Sequence, residues 1–146
     1  MARIRLTLPE NFSFSTSILV RITDLNYGGH VGNDTILSLL HEARVQYLQS
    51  LGYTELAFAG TSLIMSDVAI EYKNELFYGT ILKAYVTATE FSRVGFDLMY
   101  ELLIEKDGKE VTIAAAKTGM ICFDYNKRKV VPIPEEAAQK LQNVIV

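Results

Sequence analysis

Asn33-Asp34-Thr35-Ile36-Leu37-Ser38-Leu39-Leu40-His41-Glu42-Ala43-Arg44-Val45-Gln46-Tyr47-Leu48-Gln49-Ser50-Leu51-Gly52 is the strongest helical signal in the chain, and the fold follows from what flanks it. Ile36, Leu40, Ala43, Tyr47 and Leu51 recur at steps of three and four, which stacks them on one face of a helix. Asn33 or Asp34 is suited to cap the open amides of the first turn, and Gly52 supplies the stop. A shorter apolar piece at 54–59, ending before Gly60, is expected to make a helical turn or two. Beyond Thr61 the chemistry turns to β-branched and aromatic residues broken by Gly, Asn and Asp, which predicts strands over 62–72, 81–91, 95–105 and 110–124. Asp107-Gly108 reads as a tight hairpin turn. One earlier strand, 14–21, precedes the helix, and a short amphipathic helix at 135–141 follows Pro132 and Pro134. Strand, helix, then a run of strands is an α+β order: an antiparallel sheet of about five strands wrapped around one long helix.

The 146 residues suit a single domain spanning 1–146. A chain of this size buries roughly 70% of its unfolded surface without covalent staples. Cys122 is the lone cysteine, so no intrachain disulfide forms, and His30 and His41 offer no zinc-like spacing. Residues 1–10 never build the apolar run of a signal peptide or membrane span, and the expectation is a soluble, cytoplasmic protein with no membrane partner. Net charge is −3 and basic residues are scattered, which argues against nucleic acid as a partner. Hydrophobic content of 49% is generous for a monomer and points to a second copy covering apolar surface, as a homodimer or homotetramer.

The polar stretch between the first strand and the helix carries the chemistry: Arg21-Ile22-Thr23-Asp24-Leu25-Asn26-Tyr27-Gly28-Gly29-His30-Val31-Gly32-Asn33-Asp34. Its glycines let backbone come close to a ligand. It runs into a helix start, where amides lack intrahelical partners and the helix dipole adds partial positive charge. That is an oxyanion site in waiting.

The stretch resembles the hotdog-fold thioesterases of the 4-hydroxybenzoyl-CoA thioesterase type. Their loop reads Asp-x-Asp, two residues, Gly-His-Val, then Asn-Asn before a helix containing Glu-x-Arg. The matches are Asp24, Gly29-His30-Val31, Asn33 and Glu42-Ala43-Arg44, and the likeness continues through Ile70-Glu71-Tyr72 and Gly79. It implies a hotdog fold and a thioesterase that hydrolyses acyl-CoA or acyl-carrier thioesters without a cofactor, at sites between subunits. The family's second aspartate is Asn26 here. An amide has no basic lone pair near neutral pH, so Asn26 can orient a water or a carbonyl but cannot take a proton.

Thioester hydrolysis needs a water at the carbonyl carbon, a group to accept its proton, and donors for the developing oxyanion. Asp24 is the first candidate base and Glu42 the second. His30 is suited to assist as donor, base or positioning group, and Asn26 and Asn33 to orient water or the thioester oxygen. Gly29, Val31 and Gly32 form the substrate-binding backbone. Arg93, with Lys127, Arg128 and Lys129, is a candidate for the phosphates of coenzyme A. Tyr53, Phe58, Met65 and Phe77 are either the lining of an acyl channel or plain core. No Gly-x-Ser-x-Gly elbow, phosphate loop or dinucleotide fingerprint is present. Two other readings remain open at this point: a non-catalytic acyl-thioester binder, and a hotdog dehydratase acting on hydroxyacyl thioesters.

Overall fold

The computed structural model describes residues 1–142. Its element order is β1 (Phe14–Leu19), a single 3-10 turn (Ile22–Asp24), α1 (Asn33–Ser50), β2 (Ser62–Tyr72), β3 (Ile81–Thr89), β4 (Gly95–Lys106), β5 (Lys109–Asp124), β6 (Lys129–Val130) and α2 (Glu135–Gln142). The strands form one antiparallel sheet in the order β1-β3-β4-β5-β2, with β6 added to β5. This is the α+β arrangement expected from the element order, and the hotdog arrangement that the resemblance implies.

The helix starts where expected, with a different cap. Gly32 occupies the N-cap position and no side chain caps the turn, because Asn33 and Asp34 already lie inside the helix. The face of α1 that turns inward carries Ile36, Leu39, Leu40, Ala43, Tyr47 and Leu48, and with them Arg44. It packs on β1 and β3. Full burial of side chains such as Leu40 and Leu48 contributes on the order of 2 kcal/mol each by transfer from water.

Strands β4 and β5 form the middle of the sheet and are buried along most of their length. They are joined by the expected hairpin, Asp107 and Gly108 having φ of 54° and 76°, the primed-turn geometry that matches strand twist. At Gly95 a Cβ would stand 2.2 Å from the Met120 carbonyl oxygen, so only glycine lets β4 begin this close to β5.

The segment at 54–59 is not helical. The Ala57 amide donates to Thr54 Oγ1 at 2.9 Å, Phe58 bridges Thr61, and Ser62 Oγ donates to the Leu56 carbonyl at 2.8 Å. Local side-chain and turn bonds thus claim the groups a helix would need. Tyr53 and Phe58 pack edge to face with centroids 5.0 Å apart, and Phe58 reaches Phe96 at 5.9 Å. They are core. Met65 is exposed on β2, while Cys122 is fully buried and burial pushes its thiol pKa up, as befits an inert apolar side chain. Among the described residues no helix is long and apolar enough to cross a membrane.

Candidate active site

Before α1 the chain doubles back. Leu25 bridges Val31, the Asn26 amide donates to the His30 carbonyl at 2.9 Å and the Gly29 amide to the Asn26 carbonyl at 3.1 Å. Gly29 sits at φ 83°, where a side chain would be strained. Asn26 Oδ1 accepts the Gly28 amide at 2.8 Å, the self-bond of an Asx turn. Its oxygen therefore shapes the loop.

The loop after β2 is fastened against the start of the helix. Tyr72 donates its hydroxyl to the Asn33 carbonyl at 3.0 Å, and the Val31 amide donates to the Leu76 carbonyl at 2.8 Å. Between these segments lies a cavity of about 290 Å³, lined by His30, Val31, Asn33, Ile36, Tyr72, Lys73, Asn74, Glu75, Leu76 and Ile113. Val31, Ile36, Leu76 and Ile113 are buried and make an apolar floor beneath a polar rim.

His30 points its Nδ1 at the Val31 carbonyl, 3.1 Å away. A carbonyl only accepts, so in the neutral ring Nδ1 carries the proton and Nε2 is left as an acceptor. Nε2 lies 3.9 Å from Glu75 Oε1, and Phe77 approaches the ring edge to face at 6.5 Å. The amides of Asn33 and Asp34 at the start of α1 have no backbone acceptor among the described residues, as helix geometry dictates, whereas that of Thr35 already donates to the Gly32 carbonyl at 3.1 Å. Asn33 itself lines the cavity. A carbonyl oxygen brought there meets donors and the positive end of the dipole.

Asp24 is elsewhere. It is buried, at 6% exposure, and its Oδ2 accepts the Arg21 amide at 2.8 Å while the Arg21 guanidinium stands 3.5 Å from Oδ1. The carboxylate locks the 3-10 turn. With Glu42, Arg21 and Gln46 it borders a separate cavity of about 410 Å³ on the other side of α1, where exposed Glu42 accepts a bond from Gln46 Nε2 at 3.1 Å. So the two carboxylates proposed from sequence share one cavity, and His30, Val31 and Asn33 line another. Gly29 and Gly32 belong to the loop and helix start that frame the His30 cavity.

Arg93 is at the opposite end of the sheet. It precedes Gly95, which pairs with Ile121, whereas Ile113 lines the His30 cavity. The run of β5 between Ile113 and Ile121 amounts to on the order of 25 Å. Lys127, Arg128 and Lys129 lie at that same far end, around the turn from β5 to β6, so within one chain none of these cations meets His30.

Arg44 of the Glu-x-Arg pattern faces the core. Its Nε donates to Glu55 Oε2 at 3.2 Å and its Nη1 to the Tyr100 hydroxyl at 3.3 Å. The Tyr100 hydroxyl is 2.7 Å from Thr118 Oγ1, and His41 Nε2 is 2.6 Å from Glu55 Oε1. Burial comes first among the causes that raise the Tyr100 pKa. This network pins α1 to the middle of the sheet.

The model of the thioesterase-like superfamily matches residues 20–141. The chain belongs to this superfamily. The enzyme class expected from the sequence, a thioester hydrolase, stands with that membership. A 1,4-dihydroxy-2-naphthoyl-CoA hydrolase from Microcystis aeruginosa is 28% identical over 120 residues, covering 80% of this chain and 84% of its own length. In fold, a 1,4-dihydroxy-2-naphthoyl-CoA thioesterase from Synechocystis superposes with a TM-score of 0.79 at 22% identity, covering 90% of this chain and 96% of the other. A DHNA-CoA thioesterase from Staphylococcus aureus superposes at 0.76 and 21% identity, with 88% and 89% covered. At those identities the likeness speaks for the hotdog fold.

The polar cavity residues that sequence reading missed are Lys73, Asn74 and Glu75. They follow directly on the Ile70-Glu71-Tyr72 likeness, but a loop has no periodicity to say which way its side chains turn.

Proposed function

We propose that this thioesterase-family chain hydrolyses acyl-CoA thioesters to a free acid and coenzyme A thiol in the cavity at the start of α1. The observation that carries this reading is the cavity itself: an apolar floor, a helix N-terminus at one wall and a histidine with a free acceptor nitrogen at the other. The acyl group would rest on Val31, Ile36, Leu76 and Ile113. The carbonyl oxygen would meet the first-turn amides, for which one well-aimed donor is worth about 3 kcal/mol as charge develops. Coenzyme A is the proposed carrier because the Microcystis relative is named for a CoA thioester. Its anionic nucleotide end would reach Arg93 and its neighbours only on a second copy of the chain, given their distance within one.

Release of free thiol from a panel of short, medium, long and aromatic acyl-CoAs tests the reading. Turnover of at least one member is expected. Saturable binding of CoA esters with no thiol released across the panel would favour a non-catalytic binder, a reading supported by Asn26 at the family's aspartate position and by its use as a loop-shaping Asx residue.

A further inference from the structure

Glu75 is the one carboxylate in the lining of the His30 cavity, and no local fold requirement explains it. Asp24 closes a turn. Glu71 accepts the Leu6 amide at 3.1 Å and lies 3.9 Å from Lys73 Nζ. Glu75, by contrast, receives no hydrogen bond among the described residues, and its nearest ionisable neighbour is His30. With Nδ1–H of His30 turned to the Val31 carbonyl, Nε2 and Glu75 Oε1 are two acceptors 3.9 Å apart. Two acceptors cannot bond each other, but one water can donate a proton to each across such a gap.

We propose that Glu75 is the general base of the hydrolysis, holding the attacking water jointly with His30 Nε2. The inference rests on the thioesterase reading above and supplies the carboxylate that Asn26 cannot. The water oxygen bonds to the thioester carbonyl carbon as one of its protons passes to the Glu75 carboxylate, and the carbonyl electrons move onto an oxyanion facing the start of α1. Collapse of that adduct breaks the C–S bond. The departing thiolate takes the proton from Glu75 and leaves as coenzyme A thiol, and the acid product ionises to solvent. The other charged or titratable groups around Glu75 are His30, Lys73 and Tyr72 in the same lining, Glu71 beside Lys73, and Asp34 in the first turn of α1, whose charge acts on Tyr72.

The test compares Glu75→Gln, Glu75→Asp, His30→Asn and Asp24→Asn with the wild type on an acyl-CoA that the wild type hydrolyses. Glu75→Gln should lower kcat about 100-fold or more, with KM changed by less than about threefold. His30→Asn should lower kcat as well, because the water then loses one of its two acceptors. Glu75→Asp should recover part of the rate, and circular dichroism should show Glu75→Gln folded, as expected of an exposed loop position. A Glu75→Gln rate within about twofold of wild type, or loss of kcat in Asp24→Asn alone at unchanged stability, overturns this assignment and leaves the thioesterase reading standing. A wild type that releases no thiol from any acyl-CoA overturns both.

Discussion

Arg44 is the most demanding side chain in the core, a guanidinium at 5% exposure whose charge is answered by Glu55. The partners are unequal: Glu55 also reaches His41 near the surface and keeps a quarter of its side chain in solvent, whereas Arg44 has no other counter-ion among the described residues. Removing the anion should therefore hurt more than removing the cation. Glu55→Ala leaves a buried positive charge and should cost about 3 kcal/mol. Arg44→Leu leaves Glu55 with His41 and Tyr100 with Thr118, and should cost about 1–2 kcal/mol. Urea midpoints of the two variants check the order, and a larger loss in Arg44→Leu would mean that the network is not held by charge. At this scale the sequence was only partly legible. The glycines and His30 mark a site through their types and Asp24 through its place in the motif, yet the motif does not show that His30 and Asp24 border different cavities. Which cavity each side chain enters depends on the doubled-back loop and on Val31 tying to Leu76, contacts with no trace in spacing. Glu75 escaped for the same reason.

Elements were easier to read, because their signals are periodic. The start of α1 and all of β2 appeared where the pattern put them, and β3 to β5 differ by a residue or two at their ends. The segment at 54–59 misled because apolar content without a three-to-four repeat does not distinguish a helix from a core-facing loop. The same scale holds a pH-dependent lock between β2 and β5. A bulge between Met65 and Asp67 lets Asp67 Oδ1 fold over Gly119, accepting its amide at 2.9 Å and the Lys117 ammonium at 2.7 Å. The hydrogen bond from Lys117 is the chief cause holding Asp67 below the usual carboxylate range, and the one to Asp67 is the chief cause raising Lys117. A lowered acid stabilises the fold above its ordinary pKa, and that contribution is lost as pH falls through the lowered value. A raised base stabilises below its ordinary pKa, and that contribution is lost as pH climbs through the raised value. Because Asp67 is largely exposed, solvent screening limits the effect to less than about 1 kcal/mol. Asp67→Asn should thus melt slightly below wild type at neutral pH, and the two curves should converge as pH falls through the lowered Asp67 value and again as it climbs through the raised Lys117 value. Melting scans across that range check it, and an offset that persists at acid pH would assign the lock to shape instead of charge.

For the molecule as a whole, the sheet order leaves β2 as an edge strand of 11 residues, long for an edge. Met65, Val68 and Tyr72 are exposed along it, and the Leu6 amide of the N-terminal segment donates to the Glu71 side chain. An antiparallel two-fold pairing of β2 with β2 of a second copy would satisfy the open backbone groups and bury those side chains together, since an isologous contact needs only one self-complementary patch. Such a pairing also bears on the site. Tyr72 ends β2 and lines the His30 cavity, so a copy laid along this strand would wall the cavity's open side and keep bulk water from the thioester. The prediction couples assembly to activity: wild type should run as a dimer or larger in light scattering. Met65→Glu combined with Val68→Glu should run as a folded monomer whose kcat/KM is lower by about tenfold or more, because a half-open site loses the orientation and water exclusion that raise the rate. A wild type that is monomeric and fully active, or a monomeric variant with unchanged kcat/KM, would show that each chain's cavity works alone.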